Sequence, residues 1–177
     1  GGLNRAAIFT DVGGRLTAEI YNPGTNSWRS VAGMTTPRTY HSVAILLTNG
    51  KVFVGGGGLC DATPDCDNHM DAEIYSPPYL FNPDGSLAIR PEITGAPAIA
   101  DYDTSINVTT SSDIDEFSLI RFSAATHSTN NEQRRIPVTF TGGGGNYSVN
   151  IPNRELLPPG YYMLFALNSN GVPSEAY

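Results

Sequence analysis

Tyr40 and His41 stand side by side at the head of the stretch PRTYHSVAILLTNGKVFVGGGG, and His127 lies in the polar stretch SAATHSTNNEQRR. Two imidazoles and a phenol would suit copper, which takes nitrogen and oxygen ligands in tetragonal geometry. Zinc is the plainer alternative. Spacing alone does not join His41 to His127, which are 86 positions apart. In a regular strand Tyr40 and His41 would point to opposite faces. Both could serve one metal only from a strand end, where the chain is still turning. The third histidine, His69, lies in CDNHMDAEIY and reads as a local loop contact.

Other chemistries find little support. No Ser/His/Asp arrangement or paired-carboxylate pattern stands out. The run Gly55 to Gly58 lacks the Lys-Ser/Thr and the helix that a phosphate loop needs. Cys60 and Cys66 favour a disulfide over a zinc pair, because there is no second cysteine pair or close histidine pattern. Asn107-Val-Thr and Asn146-Tyr-Ser are N-glycosylation sequons. With the cysteine pair they tilt the chain towards a secreted, extracellular protein. The net charge is −7 and the 10 Lys and Arg are scattered, which argues against nucleic acid and against an anionic membrane surface. No apolar run approaches the roughly 18 residues of a membrane span.

The elements that must position these residues are strands. The 177 residues include 19 Gly and 13 Pro, with only 15% charged, and no segment keeps a helical period over several turns. The chain repeats itself once: TAEIYNP begins at Thr17 and DAEIYSP at Asp71, 54 positions on, each after a glycine-rich segment, with Trp28 between them. A glycine cluster, an aromatic strand and a spaced Trp at this period read as kelch-type β-propeller blades. Glycines let the inner strands crowd at the axis, and aromatics fill the space between blades. A propeller needs at least four blades, and little more than one is present here. Residues 1–87 are therefore expected to be the C-terminal part of an incomplete propeller, completed by further polypeptide. From about Arg90 a new series of short strands begins: PEITGAP, SINVTTS with Ile106 and Val108 on one face, FSLIRFS, IPVTFTG, YSVNIP and YYMLFALN. Residues 88–177 read as an immunoglobulin-like β-sandwich with a clipped end. The fold class is all-β.

Four long blocks then carry a specific resemblance. RTYHSVAILLTNGKVFVGGGGLC, NHMDAEIYSPPYLFNPDGSLAIRPEIT, SLIRFSAATHSTNNEQRRIPVTF and LPPGYYMLFALNSNGVPS together resemble the C-terminal third of the galactose oxidase family of copper-radical oxidases. That resemblance implies the last blades of a seven-bladed propeller followed by an immunoglobulin-like domain, one loop of which delivers a histidine to a mononuclear copper. It implies Tyr40 as axial ligand and proton acceptor, with His41 and His127 as equatorial ligands. It implies a short-range disulfide at Cys60 and Cys66, in a loop longer than that of galactose oxidase. His69 matches a residue that the family does not place on copper.

The activity implied is oxidation of primary alcohols, galactose-type sugars or simple alcohols, to aldehydes, with O₂ reduced to H₂O₂. A glyoxal or aldehyde oxidase of the same superfamily, or a non-catalytic carbohydrate-binding module, are the alternatives. The family's radical tyrosine and its cross-linked cysteine lie upstream of the segment this chain matches. The chain alone is accordingly expected to bind copper weakly and to oxidise nothing.

Overall fold

The structure, a computed structural model, describes Gly2 and residues 10–58, 67–126 and 129–177. These form fourteen strands and one 3₁₀ turn. They divide into two compact units.

The first unit comprises residues 1–45, 52–75 and 125–130. Strands β1 (Ala18–Asn22) and β2 (Ser27–Val31) make a hairpin in which Tyr21 faces Trp28, their rings 5.0 Å apart. Strands β3 (Val43–Leu46), β4 (Val52–Gly55) and β5 (Ala72–Tyr75) make a three-stranded sheet in that order. Among the described residues of this unit no four-stranded blade is present. Trp28 and Ile74 are more than half exposed, at 65% and 52%. The short strands β9 (Ala125–Thr126) and β10 (Thr129–Asn130) pair antiparallel and belong to this unit too.

The second unit comprises residues 46–51, 76–124 and 131–177. It is a sandwich of two sheets. One has the order β11 (Arg135–Val138), β8 (Glu116–Arg121), β14 (Tyr162–Leu167). The other has the order β12 (Phe140–Gly143), β13 (Asn146–Asn150), β7 (Ser105–Thr110), β6 (Ile93–Gly95). Strand β13 alternates, burying Tyr147 and Val149 and exposing Asn146 and Asn150, as one face on a core requires. Phe117 is fully buried and meets Phe140 and Tyr147 edge-on at 5.1 and 5.3 Å, the arrangement aromatic quadrupoles favour. The Tyr147 hydroxyl is buried with them and accepts from the Ile114 N–H at 2.8 Å, so the core holds no orphaned oxygen there.

One expectation about the strands needs correcting. IPVTFTG, read as a single run, is two strands in two sheets: β11 pairs with β8 and β12 with β13, the chain crossing over at Thr139. Pro137 is tolerated because β11 is an edge strand. The turn between β3 and β4 is tied down within the second unit. Arg90 donates to the carbonyls of Asn49, Pro173 and Ser174, and the Tyr79 hydroxyl donates to Gly50 O.

Candidate metal centre

Tyr40 and His41 occupy a turn immediately before β3, not the strand itself. His41 has φ +60°, a left-handed backbone uncommon for a residue with a side chain. The reversal folds the two neighbouring rings onto one side of the chain: their centroids are 3.8 Å apart with planes at 35°. A regular strand would have sent them to opposite faces. Holding a non-glycine residue there costs roughly 1–2 kcal/mol, and such strain persists only where the surroundings impose it.

Here the surroundings are the glycine run after β4. Gly58 N–H donates to Tyr40 O at 2.8 Å, and Gly58 O lies 3.2 Å from His41 Nδ1. The backbone of Gly56 presses on His41: a Cβ on Gly56 would sit 2.7 Å from His41 O. Gly56, Gly57 and Gly58 thus let one chain segment lie against the turn without side chains between them. Ser42 closes the turn from the other end, its hydroxyl donating to Thr39 O at 2.7 Å.

Beneath the turn lies a residue that the motif reading passed over. Arg38 is 3% exposed. Its guanidinium donates to Gly56 O and Asp71 O at 3.1 Å, to the Asp71 carboxylate at 2.9 and 3.2 Å, and to Glu73 at 3.4 Å. Its Nε has no hydrogen-bond partner among the described residues. Glu73 also accepts from the backbone N–H groups of Thr35 and Thr36. A signal for this cluster existed in the repeat: DAEIY carries Asp71 where TAEIY has Thr17, placing two carboxylates two positions apart, one just before β5 and one in it.

These contacts set a pH dependence. The hydrogen bond from Arg38 holds the Asp71 carboxyl below its ordinary value of 3.8. The Thr35 N–H foremost, with Thr36 and Arg38, holds Glu73 below 4.5. A carboxylate whose pKa is lower folded than unfolded adds stability that is complete above the ordinary value and is lost as pH falls through the folded one. Thermal melts of the protein taken from pH 6 to pH 3 should therefore show a loss of stability on acidification. Asp71→Asn should flatten that loss; an unchanged slope would contradict the assignment.

The other predicted residues fall differently. His127, Cys60 and Cys66 lie outside the described residues. On either side of His127, Thr126 of β9 pairs with Thr129 of β10, and both strands belong to the unit that contains Tyr40 and His41. His69 is not the local contact expected. Its Nε2 meets Asp11 Oδ1 at 2.8 Å, 58 positions away in sequence, while its N–H donates to Gly57 O. Asn107 and Asn146 are exposed on β7 and β13. Among the described residues no group of three or more His, Cys, Asp or Glu side chains gathers.

Tyr40 and His41 fit a metal by the chemistry of their donor atoms. A carbonyl only accepts, so in the neutral ring the bond to Gly58 O places the proton on Nδ1 and the lone pair on Nε2. A metal-binding imidazole is oriented in this way, by a hydrogen bond from its other ring nitrogen. The adjacent phenol supplies an oxygen on the same side of the turn.

Known proteins place the chain. Residues 90–177 match the model of the galactose oxidase-like early set domain. The galactose oxidase of Gibberella zeae is 45% identical over 180 residues, covering 99% of this chain and 26% of the relative. The aldehyde oxidase GLOX1 of Arabidopsis thaliana is 33% identical over 167 residues, covering 83% of this chain and 26% of the relative. A solved fungal alcohol oxidase of the AA5 family, in complex with copper, superposes over the whole chain with a TM-score of 0.93 at 40% identity; the match covers 38% of that structure. Residues 90–177, all but 125–130 of which lie in the second unit, are thus an early set domain of the galactose oxidase type. The chain belongs to the galactose oxidase family and spans about a quarter of the curated relatives' length.

Proposed function

We propose that this chain is the C-terminal portion of a secreted copper-radical oxidase that converts primary alcohols, galactose-type sugars or simple alcohols, to aldehydes while O₂ becomes H₂O₂. The observation that carries the reading is the Tyr40–His41 turn. A phenol and an imidazole held at Nδ1 by Gly58 O are folded onto one side of the chain by a left-handed backbone at His41. The greater identity to a galactose oxidase than to an aldehyde oxidase supports an alcohol as substrate.

In this reading His41 Nε2, Tyr40 Oη and His127 would hold copper. Copper and a cysteine-linked tyrosyl radical, the latter from sequence outside this chain, would supply two one-electron acceptors, and the metal would lower the pKa of a bound alcohol. The chain's own contribution is proton handling and orientation. Tyr40 Oη, as phenolate, takes the proton of the substrate hydroxyl. Gly58 O fixes the His41 ring through Nδ1, and the ring stack limits the rotation of Tyr40. In this reading the remaining propeller blades and the walls of the substrate pocket would come from sequence outside this chain.

The test is a peroxidase-coupled assay on the full-length protein and on the isolated 177-residue chain. The full-length protein should bind one copper and release H₂O₂ with a primary alcohol; the isolated chain should release none at steady state. Copper-free full-length protein with no oxidase activity on alcohols or aldehydes would favour the binding-module alternative.

Secretion carries its own expectation. Val108 and Tyr147 point into the core, so Asn107 and Asn146, their neighbours on β7 and β13, face outward. Asn107 stands opposite Ser148 and Asn146 opposite Thr109, so both sequons present their acceptors on one exposed face. Protein secreted from a yeast host should carry glycan at these asparagines, each read as Asp after enzymatic deglycosylation. Unmodified Asn at both positions would contradict this.

A further inference from the structure

We infer that Arg38 is a positioning residue for the Tyr40–His41 pair, an inference that rests on the copper reading of that pair. Arg38 is two residues before Tyr40, and its guanidinium makes attachments to three other residues. It holds the carbonyl of Gly56, the backbone carbonyl and carboxylate of Asp71, and the carboxylate of Glu73. Gly56 begins the segment whose Gly58 bonds Tyr40 O and orients His41 Nδ1. Asp71 and Glu73 belong to the strand β5 and its approach, which pair with β4 through Val54 and Gly55. One buried side chain therefore ties together the segment that bears the two donors, the glycine segment that orients them, and the strand behind both.

The bonding is more specific than burial of a charge requires. A lysine could satisfy one carboxylate as a point charge, but only the planar fork of arginine reaches a carbonyl and two carboxylates in fixed directions. Arg38 Nε remains unbonded among the described residues, a cost accepted while the fork is kept in place. Thr39, between Arg38 and Tyr40, is buried as well, at 7% exposure, so a displacement of Arg38 passes to Tyr40 along a backbone with little room to absorb it.

The experiment compares copper binding and fold in the full-length protein for wild type, Arg38→Lys, Arg38→Met and the double variant Asp71→Asn with Glu73→Gln. Copper affinity is read by competition with a chelator and geometry by the Cu(II) electron paramagnetic resonance spectrum; circular dichroism and melting temperature report the fold. Arg38→Met should weaken copper binding about 10–100-fold and shift the copper hyperfine splitting, the size of effect expected when a ligand's supporting contact is lost. Arg38→Lys should recover part of the affinity but not the wild-type spectrum. The double variant keeps Arg38 while loosening its anchors; it should move both readings in the same direction and serves if Arg38→Met does not fold. Wild-type affinity and spectrum in a folded Arg38→Met, or in the folded double variant, would overturn the inference while leaving the copper reading intact. Wild-type protein that fails to bind copper overturns both.

Discussion

Tyr40→Phe in the proposed full-length oxidase should lower kcat by about 10²–10⁴-fold, the range lost when a positioned general base is removed, while copper remains bound. The substitution is narrow. Phe keeps the ring that stacks on His41 at 3.8 Å, and the backbone carbonyl at position 40 still accepts from Gly58 N–H. His41 Nδ1 keeps its bond to Gly58 O, so the imidazole stays oriented. What disappears is one oxygen, which in the proposed reaction both faces the metal and takes the substrate's proton. A group used in the transition state and little in substrate binding should lower kcat and kcat/KM together. Copper content per chain, measured on the same samples, separates a chemical defect from metal loss. A variant with full copper and activity within threefold of wild type would remove Tyr40 from the catalytic role.

The sequence made some of this plain and hid the rest, for physical reasons. Strands that bury one face announce themselves by alternation. SINVTTS and YSVNIP became β7 and β13 with little change in extent, and Ile106 and Val108 share a face as read. IPVTFTG did not reveal its division, because a crossover between sheets at one threonine leaves the local pattern of apolar residues intact. At the site, Tyr40 and His41 were legible as residue types with a copper-like chemistry. Their left-handed turn was not, since a backbone reversal at a histidine has no signature in composition; it is imposed by Gly56 and Gly58, which follow β4, the second strand after the turn. Arg38 was invisible for a related reason. An arginine beside a site motif reads as a solvated charge, and only the pairing of β4 with β5 brings Asp71 and Glu73 within its reach. His69 shows the same limit: its partner Asp11 lies in a distant part of the chain.

Gly58→Ala should be the most damaging single methyl that can be added near the site. Gly58 has φ +94°, and a Cβ built there lies 2.2 Å from Asp67 O and 2.6 Å from Asn68 Oδ1. The asparagine side chain can swing aside; the Asp67 carbonyl is backbone and cannot do so alone. Either residues 67–68 move, disturbing the neighbouring bond from His69 N–H to Gly57 O, or Gly58 moves. If Gly58 moves, it carries away the N–H that holds Tyr40 O and the carbonyl that orients His41. Gly85 provides the control, with φ +85° and nothing within 4 Å of its Cβ position. Gly85→Ala should cost only the left-handed penalty, roughly 1–2 kcal/mol, and leave copper binding alone. Gly58→Ala adds a backbone overlap to that penalty and should cost about 3 kcal/mol or more, in the range reached when strain and packing fail together. It should also weaken copper binding on the order of 10–100-fold. Denaturant unfolding and chelator competition on the two full-length variants give both numbers. If Gly58→Ala unfolds and binds copper like Gly85→Ala, the close approach of the glycine run to the Tyr40–His41 turn is not what holds the pair in place.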